Sequence, residues 1–160
     1  MERKTLIIQT AYLGDLLLTE PLLREVRERW DVIPHVLIRR GFEGVLKFMG
    51  GVKPILLEKN GLKLKNTVSV CNRIMEENFD FVFSAHRSFR SALIARNARN
   101  AFKVGFANSE GFWFYDAIVP YEGEHEVKRI LSLLKPVEKV EFPVIPPALI
   151  IKNEDVERGN

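Results

Sequence analysis

The sequence predicts an α/β protein: a three-layer α/β/α domain on a mostly parallel sheet. Two observations carry this. Short apolar, β-prone runs alternate with longer stretches of helical periodicity, the pattern of right-handed βαβ units. One of the runs, "FDFVFSA" at 79–85, is apolar almost throughout, as expected of a strand covered on both faces by helices. A chain of 160 residues, 46% hydrophobic and 28% charged, is long enough for one such domain with a sizeable core.

The elements follow in order. "TLIIQ" (5–9) reads as the first strand. "LLLTEPLLREVRERW" (16–30) reads as a helix with Leu18, Leu22, Leu23, Val26 and Trp30 on one stripe. Pro21 has no N–H and belongs in a first turn. The expected helix therefore starts irregularly near Asp15 and becomes regular from about Glu20, with Thr19 as its cap. "HVLIR" (35–39) is the second strand, "FEGVLKFMG" (42–50) a short helix stopped by Gly50-Gly51, and "PILLE" (54–58) the third strand. "NGLKLKN" (60–66) reads as a polar connection and 67–78 as a helix. After the 79–85 strand come a helix at 88–98 and a strand at 101–106. "FWFYDAIV" (112–119) fits either a strand or an aromatic loop. A last helix spans 124–134, with Val127, Ile130, Leu131 and Leu134 on one face. The domain is expected to occupy 1–142, and the proline-containing 143–160 to be a linker or a truncated interdomain segment.

Composition excludes several classes. A formal net charge of +3 does not by itself indicate a nucleic-acid partner, and none is expected. Cys71 is the single cysteine, so an internal disulfide and a cysteine-only metal cage are ruled out; the residue is expected to be buried and apolar in role. No run approaches the roughly 20 apolar residues of a membrane span, nor the h-region of a signal peptide. A cytoplasmic location is expected, with any membrane contact peripheral.

Two stretches hold candidate chemistry, both just beyond strands, where ligands of open parallel sheets bind. "TAYLGD" (10–15) lacks the glycines of a dinucleotide turn or a P-loop. It instead offers Asp15 at a helix start after a turn at Gly14. The helix dipole favours the ionised carboxylate, which suits a general base; the other reading is a helix N-cap. "SAHRSFRSALIARNARNAFKVGFANS" (84–109) carries Arg87, Arg90, Arg96, Arg99 and Lys103 without an acidic residue. Arg87 and Arg90 at a helix start oppose the dipole unless an anion docks there, shared between guanidinium groups and helix N–H groups. The plainer reading is a solvated basic helix end. Arg96, Arg99 and Lys103 are expected to be solvated or to face anionic lipid. Arg39 and Arg40 follow strand two at the same edge and are candidates to join the site. His86 reads as a hydrogen-bonded orienting residue, the other reading being a catalytic base. His125 has no second histidine at helical spacing and His35 lies within or before a strand, so neither suggests zinc. The aromatic run is expected to pack, and no D-x-D metal pair occurs.

Three stretches together, "TLIIQTAYLGDLLLTEPLLREVRERW", "FDFVFSAHRSFRSALIARNARNAFKVGF" and "HEVKRILSLLKPV", resemble the N-terminal half of the ADP-heptose:lipopolysaccharide heptosyltransferase family, glycosyltransferase family 9. The resemblance covers most of residues 5–137. It implies a Rossmann-like domain, one half of a two-domain GT-B enzyme that transfers heptose from ADP-heptose to the lipopolysaccharide inner core with inversion and without a metal or other cofactor. It makes Asp15 the catalytic base and puts Thr10, Gly14, His86, Arg87 and Arg90 at the lipid-linked acceptor. It also implies work at the inner face of the cytoplasmic membrane. The sequence departs from the family pattern at Gln9, where relatives commonly carry arginine, and at "SAHRS". The donor-binding domain lies outside these 160 residues, so a further domain or chain is an expected partner and the chain alone is expected to transfer little. The alternative is a non-catalytic α/β module that binds an anionic lipid-linked sugar or a partner chain; a homodimer is also compatible with the sequence.

Overall fold

The computed structural model describes residues 3–58, 63–139, 143 and 145–150. Among these residues six strands form one sheet: β1 (Thr5–Ile8), β2 (His35–Arg39), β3 (Lys53–Leu57), β4 (Phe81–Ser84), β5 (Phe102–Phe106) and β6 (Ala117–Val119). Their order is β3-β2-β1-β4-β5-β6 and every pairing is parallel, the strand order of a doubly wound Rossmann sheet. β1 lies at the centre and is buried on both faces. β3 is an edge strand, which is why Pro54, lacking an N–H, is tolerated in it.

The pleat sends alternate side chains into two separate cores. Ile7, Val36, Ile38, Phe83, Val104 and Phe106 pack beneath α1 (Leu13–Leu18), α2 (Glu20–Trp30) and α5 (Glu126–Leu131). Leu6, Ile8, Leu37, Ile55 and Val82 pack beneath α3 (Lys63–Glu77) and α4 (Phe89–Arg96). This is the expected three-layer arrangement.

Several boundaries differ from the sequence reading for local reasons. The first helix breaks at Thr19, and Pro21 stands in the first turn of α2 as expected. Thr19, however, makes no side-chain cap: its hydroxyl donates to the carbonyl of Asp15 at 2.8 Å. Residues 63–66 of the expected polar connection belong to α3, while 59–62 lie outside the described residues. The 42–50 helix is a 3-10 turn over Glu43–Phe48. The ambiguous 112–119 stretch is both things at once, a 3-10 turn over Phe112–Phe114 followed by β6. Cys71 is only half-buried, with its thiol accepting from Asn97 Nδ2 at 3.2 Å.

Of the expected linker, 145–150 has no regular structure and lies along α2. Ala148 N–H donates to buried Glu20 at 2.9 Å and Arg24 Nη2 donates to the Pro146 carbonyl at 3.0 Å. Residues 151–160 are outside the described residues. At the amino-terminal edge, Arg3, Arg29, Trp30 and Glu138 line a polar recess of about 450 Å³. Glu138 there accepts from both Trp30 Nε1 (2.7 Å) and Arg3 (2.9 Å), so the recess is closed on itself electrostatically.

Candidate functional site

The strand order reverses between β1 and β4, so their chains leave the carboxyl edge toward opposite faces and open a crevice between them. The two exits are tied at the base, where Ala85 and His86 both donate backbone N–H to the Ile8 carbonyl, at 3.0 and 3.2 Å. Above that tie, side chains bridge the gap. Thr10 Oγ1 lies 2.7 Å from His86 Nδ1 and 3.2 Å from Ser91 Oγ. Ser88 Oγ lies 3.3 Å from His86 Nδ1 and caps α4 by accepting the Ser91 N–H at 3.2 Å. Thr10, His86, Ser88 and Ser91 thus form one polar cluster spanning the switch point. Burial holds the pKa of His86 below 6.5; Arg39 and Arg87 push the same way, while Asp15 and Glu110 push it up. These influences together favour the neutral imidazole.

Asp15 sits on the other lip, half-buried, in the first turn of α1. It is not the N-cap, which is Tyr12; its Oδ2 accepts the Tyr12 N–H at 3.1 Å. Oδ1 has no hydrogen-bond donor among the described residues, and so remains open to a proton. The turn at Gly14 does not exist: Gly14 lies inside α1 without a positive φ, and a Cβ there would meet nothing within 4 Å. Its lack of a side chain leaves the surface beside Asp15 bare. Beneath this lip, buried Gln9 donates Nε2 to Thr19 Oγ1 at 3.1 Å and accepts the Ala11 N–H at 3.4 Å, bracing the exit of β1.

A match to known proteins decides the family. The sequence profile of glycosyltransferase family 9 (heptosyltransferase) matches residues 67–159, more than half of the chain. The chain belongs to glycosyltransferase family 9. Solved structures of heptosyltransferases share its fold. E. coli heptosyltransferase WaaC with ADP-2-deoxy-2-fluoro heptose is similar at a TM-score of 0.74 and 18% identity, over 90% of this chain and 51% of that one. E. coli ADP-heptose lps heptosyltransferase II is similar at 0.76 and 19%, over 97% and 49%. The family 9 glycosyltransferase of Veillonella parvula DSM 2008 is similar at 0.73 and 18%, over 95% and 46%. No curated protein sequence matches significantly. The chain therefore spans about half the length of the family 9 structures it resembles.

Within this family 9 domain the cations divide. Arg87 is exposed, with its guanidinium 4.0 Å above the Tyr121 ring on the α5 side. Arg90 leans the other way and donates Nε to Thr67 Oγ1 of α3 at 2.9 Å. The two flank the crevice and are anchored apart. The expected sharing with helix N–H groups is also changed: the Phe89 N–H is taken by Glu110 at 3.2 Å and the Ser91 N–H by Ser88. Arg39 approaches from the end of β2. It lies 5.3 Å over the Tyr12 ring and adds to burial in lowering the pKa of both His86 and Arg90. Arg40 turns away to pair with Glu58. Lys103 is not solvated, because it pairs with Asp116 at 2.9 Å at the opposite end of β5.

His35 is buried against Phe79 with its pKa lowered by burial, far from this edge, and His125 is the exposed N-cap position of α5. Among the described residues no group of three His, Cys, Asp or Glu side chains converges, and no helix is long and apolar enough to cross a membrane. Ser88, Ser91, Tyr121 and Glu110 were not among the candidate site residues read from sequence, and Gln9 stood out there only as a departure from the family pattern. Of the first four, only the serines left a trace, as the Ser-x-x-Ser spacing at a helix start.

Proposed function

We propose that this chain is the acceptor-binding half of an inverting family 9 glycosyltransferase and that Asp15 is its catalytic base. The acceptor would be a lipid-linked core sugar of lipopolysaccharide and the donor ADP-heptose, held by a domain outside these residues. In the step, the acceptor hydroxyl oxygen attacks the anomeric carbon while Asp15 Oδ1 takes its proton. The bond from that carbon to the diphosphate oxygen breaks, and ADP leaves with the electron pair. Arg39, Arg87 and Arg90 would meet acidic or phosphate groups of the acceptor, with Thr10 and His86 positioning its hydroxyls. Catalysis would take place in the cytoplasm, at the inner face of the membrane.

The observation that carries this reading is the half-engaged Asp15 carboxylate: Oδ2 is fixed by backbone, Oδ1 has no donor among the described residues, and both stand at the switch-point crevice beside cations. The test is Asp15→Asn in the complete enzyme that contains this domain, following ADP release and acceptor affinity separately. Turnover is expected to fall by about 10²–10⁴, the usual worth of a general base, with acceptor affinity retained. Turnover at the wild-type rate overturns the assignment. Titration of the chain with a phosphorylated core sugar should show binding, and titration with an ADP-sugar should not.

A further inference from the structure

Beside the crevice the fold exposes aromatic side chains it has no internal use for. The β5–β6 crossover uses no helix. It runs through the Phe112–Phe114 turn, which presses on α4: Gly111 has φ +81°, and a Cβ there would lie 2.9 Å from Ala92 Cβ and 3.3 Å from the Phe89 ring. The turn therefore projects Trp113 and Phe112 outward, at 62% and 44% exposure, beside Phe89 at 46%. Their rings form a continuous cluster through Phe114, with Phe112–Trp113 centroids at 5.3 Å, Trp113–Phe114 at 5.8 Å and Phe89–Phe114 at 6.1 Å. The Arg96 guanidinium sits 5.0 Å over Phe114, and Arg99 is exposed just beyond α4. The neighbouring carboxylates are already engaged, Glu110 by the Phe89 N–H and Asp116 by Lys103. The patch is thus aromatic at its centre and cationic at its flank.

We propose that the Phe89–Phe112–Trp113 patch, with Arg96 and Arg99, docks this domain on an anionic lipid surface. Indole and phenyl rings settle at the boundary between headgroups and acyl chains, and flanking arginines gain from anionic headgroups. A second copy of the chain is the poorer occupant, since a two-fold contact would bring the same arginines together. Phe89 opens the helix capped by Ser88, which belongs to the crevice cluster, so the patch adjoins the crevice mouth. A membrane-borne acceptor would enter there. In that purpose the inference rests on the lipid-linked acceptor reading, but its test contains no sugar.

The test is co-sedimentation of the chain with vesicles of phosphatidylcholine, alone or mixed with phosphatidylglycerol, at low and high salt. Binding is expected to the mixed vesicles only and to weaken with salt. The double variant Phe112→Ala/Trp113→Ala should lower partitioning at least about tenfold, and Arg96→Gln/Arg99→Gln about fivefold per cation removed. Both variants alter exposed side chains, and unchanged circular dichroism and Tm would establish folding. No binding to mixed vesicles at low salt, or equal binding by the aromatic variant, overturns the proposal. So does a concentration-dependent dimer that the aromatic variant abolishes, in the absence of vesicle binding. Vesicle binding without affinity for a core sugar would sink the proposed function alone, and the reverse result would sink this inference alone.

Discussion

Gly105→Ala tests the seat on which that aromatic turn rests. Gly105 lies in β5, paired with Ile118 of β6, and the Tyr115 ring covers it. A Cβ at 105 would stand 2.2 Å from Tyr115 Cε2, 2.4 Å from Cδ2 and 2.6 Å from Cζ. Carbon contacts settle at about 3.5–4.0 Å, so the ring must move by more than about 1 Å or leave. Tyr115 is only 9% exposed and is packed in the core beneath α3 and α4. Its expulsion forfeits about 1.5–3 kcal/mol of burial, and keeping it in place strains the strand by a similar amount. Alanine recovers about 0.5–1 kcal/mol over glycine in a strand, so the net cost is about 2 kcal/mol. For a domain of this size that lowers Tm by about 4–8 °C. Urea denaturation of a double-mutant cycle with Tyr115→Ala is the decisive assay. On the Tyr115→Ala background the Gly105→Ala cost should vanish or reverse, giving a coupling of at least about 2 kcal/mol. Equal cost on both backgrounds would show that the glycine is required by the backbone and not by the ring.

Two further predictions concern the site and its acid response. Burial holds both His35 and His86 below their ordinary 6.5, so near pH 6.5 the unfolded chain binds protons that the folded chain does not. Stability should be full above pH 6.5 and fall as pH drops through the folded-state pKa values; urea midpoints should follow, His86→Asn should flatten part of the slope, and flat midpoints would show that the imidazoles are not held neutral. Gln9→Leu removes the bonds to Thr19 and Ala11 at a cost of about 1–3 kcal/mol, and should speed amide exchange at Ala11, where unchanged protection would deny Gln9 its bracing role.

The strands and the apolar stripe of α2 were legible because each is encoded within a few residues. Leu22, Leu23 and Val26 are buried where the 3.6-residue period puts them. Local pattern does not carry what depends on a distant partner. The Thr10–His86 bond joins residues 76 positions apart, and only the parallel pairing of β4 beside β1 makes them neighbours. Lys103 looked like one of a run of cations, yet Asp116 across the β5–β6 crossover claims it. Gly14 followed the rule that glycine marks turns, but Asp15 bonding back to Tyr12 starts the helix at Leu13, one residue before it. Arg39 and Arg40 are indistinguishable in sequence. Their separation lies in their partners: Arg39 closes β2 and meets the Tyr12 ring, while Arg40 in the turn after it pairs with Glu58.

The division of charge across the crevice explains how a carboxylate can stay available beside so many cations. A protonated His86 would be the natural ion-pair partner of Asp15, and Asp15 does pull its pKa upward. Burial among Thr10, Ser88 and Ser91, with the fields of Arg39 and Arg87, outweighs that pull and keeps the imidazole neutral. The arginines are restrained in turn: Arg39 by the Tyr12 face, Arg87 by Tyr121 and Arg90 by Thr67. Cationic groups thus act on the crevice through their field while none forms an ion pair with Asp15 among the described residues, and its Oδ1 keeps its lone pairs for a proton. A carboxylate clamped by a bidentate arginine would have its basicity suppressed. In the proposed reaction the tyrosines lining the lips would therefore matter as much as the titrating groups, because Tyr12 and Tyr121 hold the Arg39 and Arg87 guanidinium ions at the crevice without letting them collapse onto the one oxygen that reaction needs.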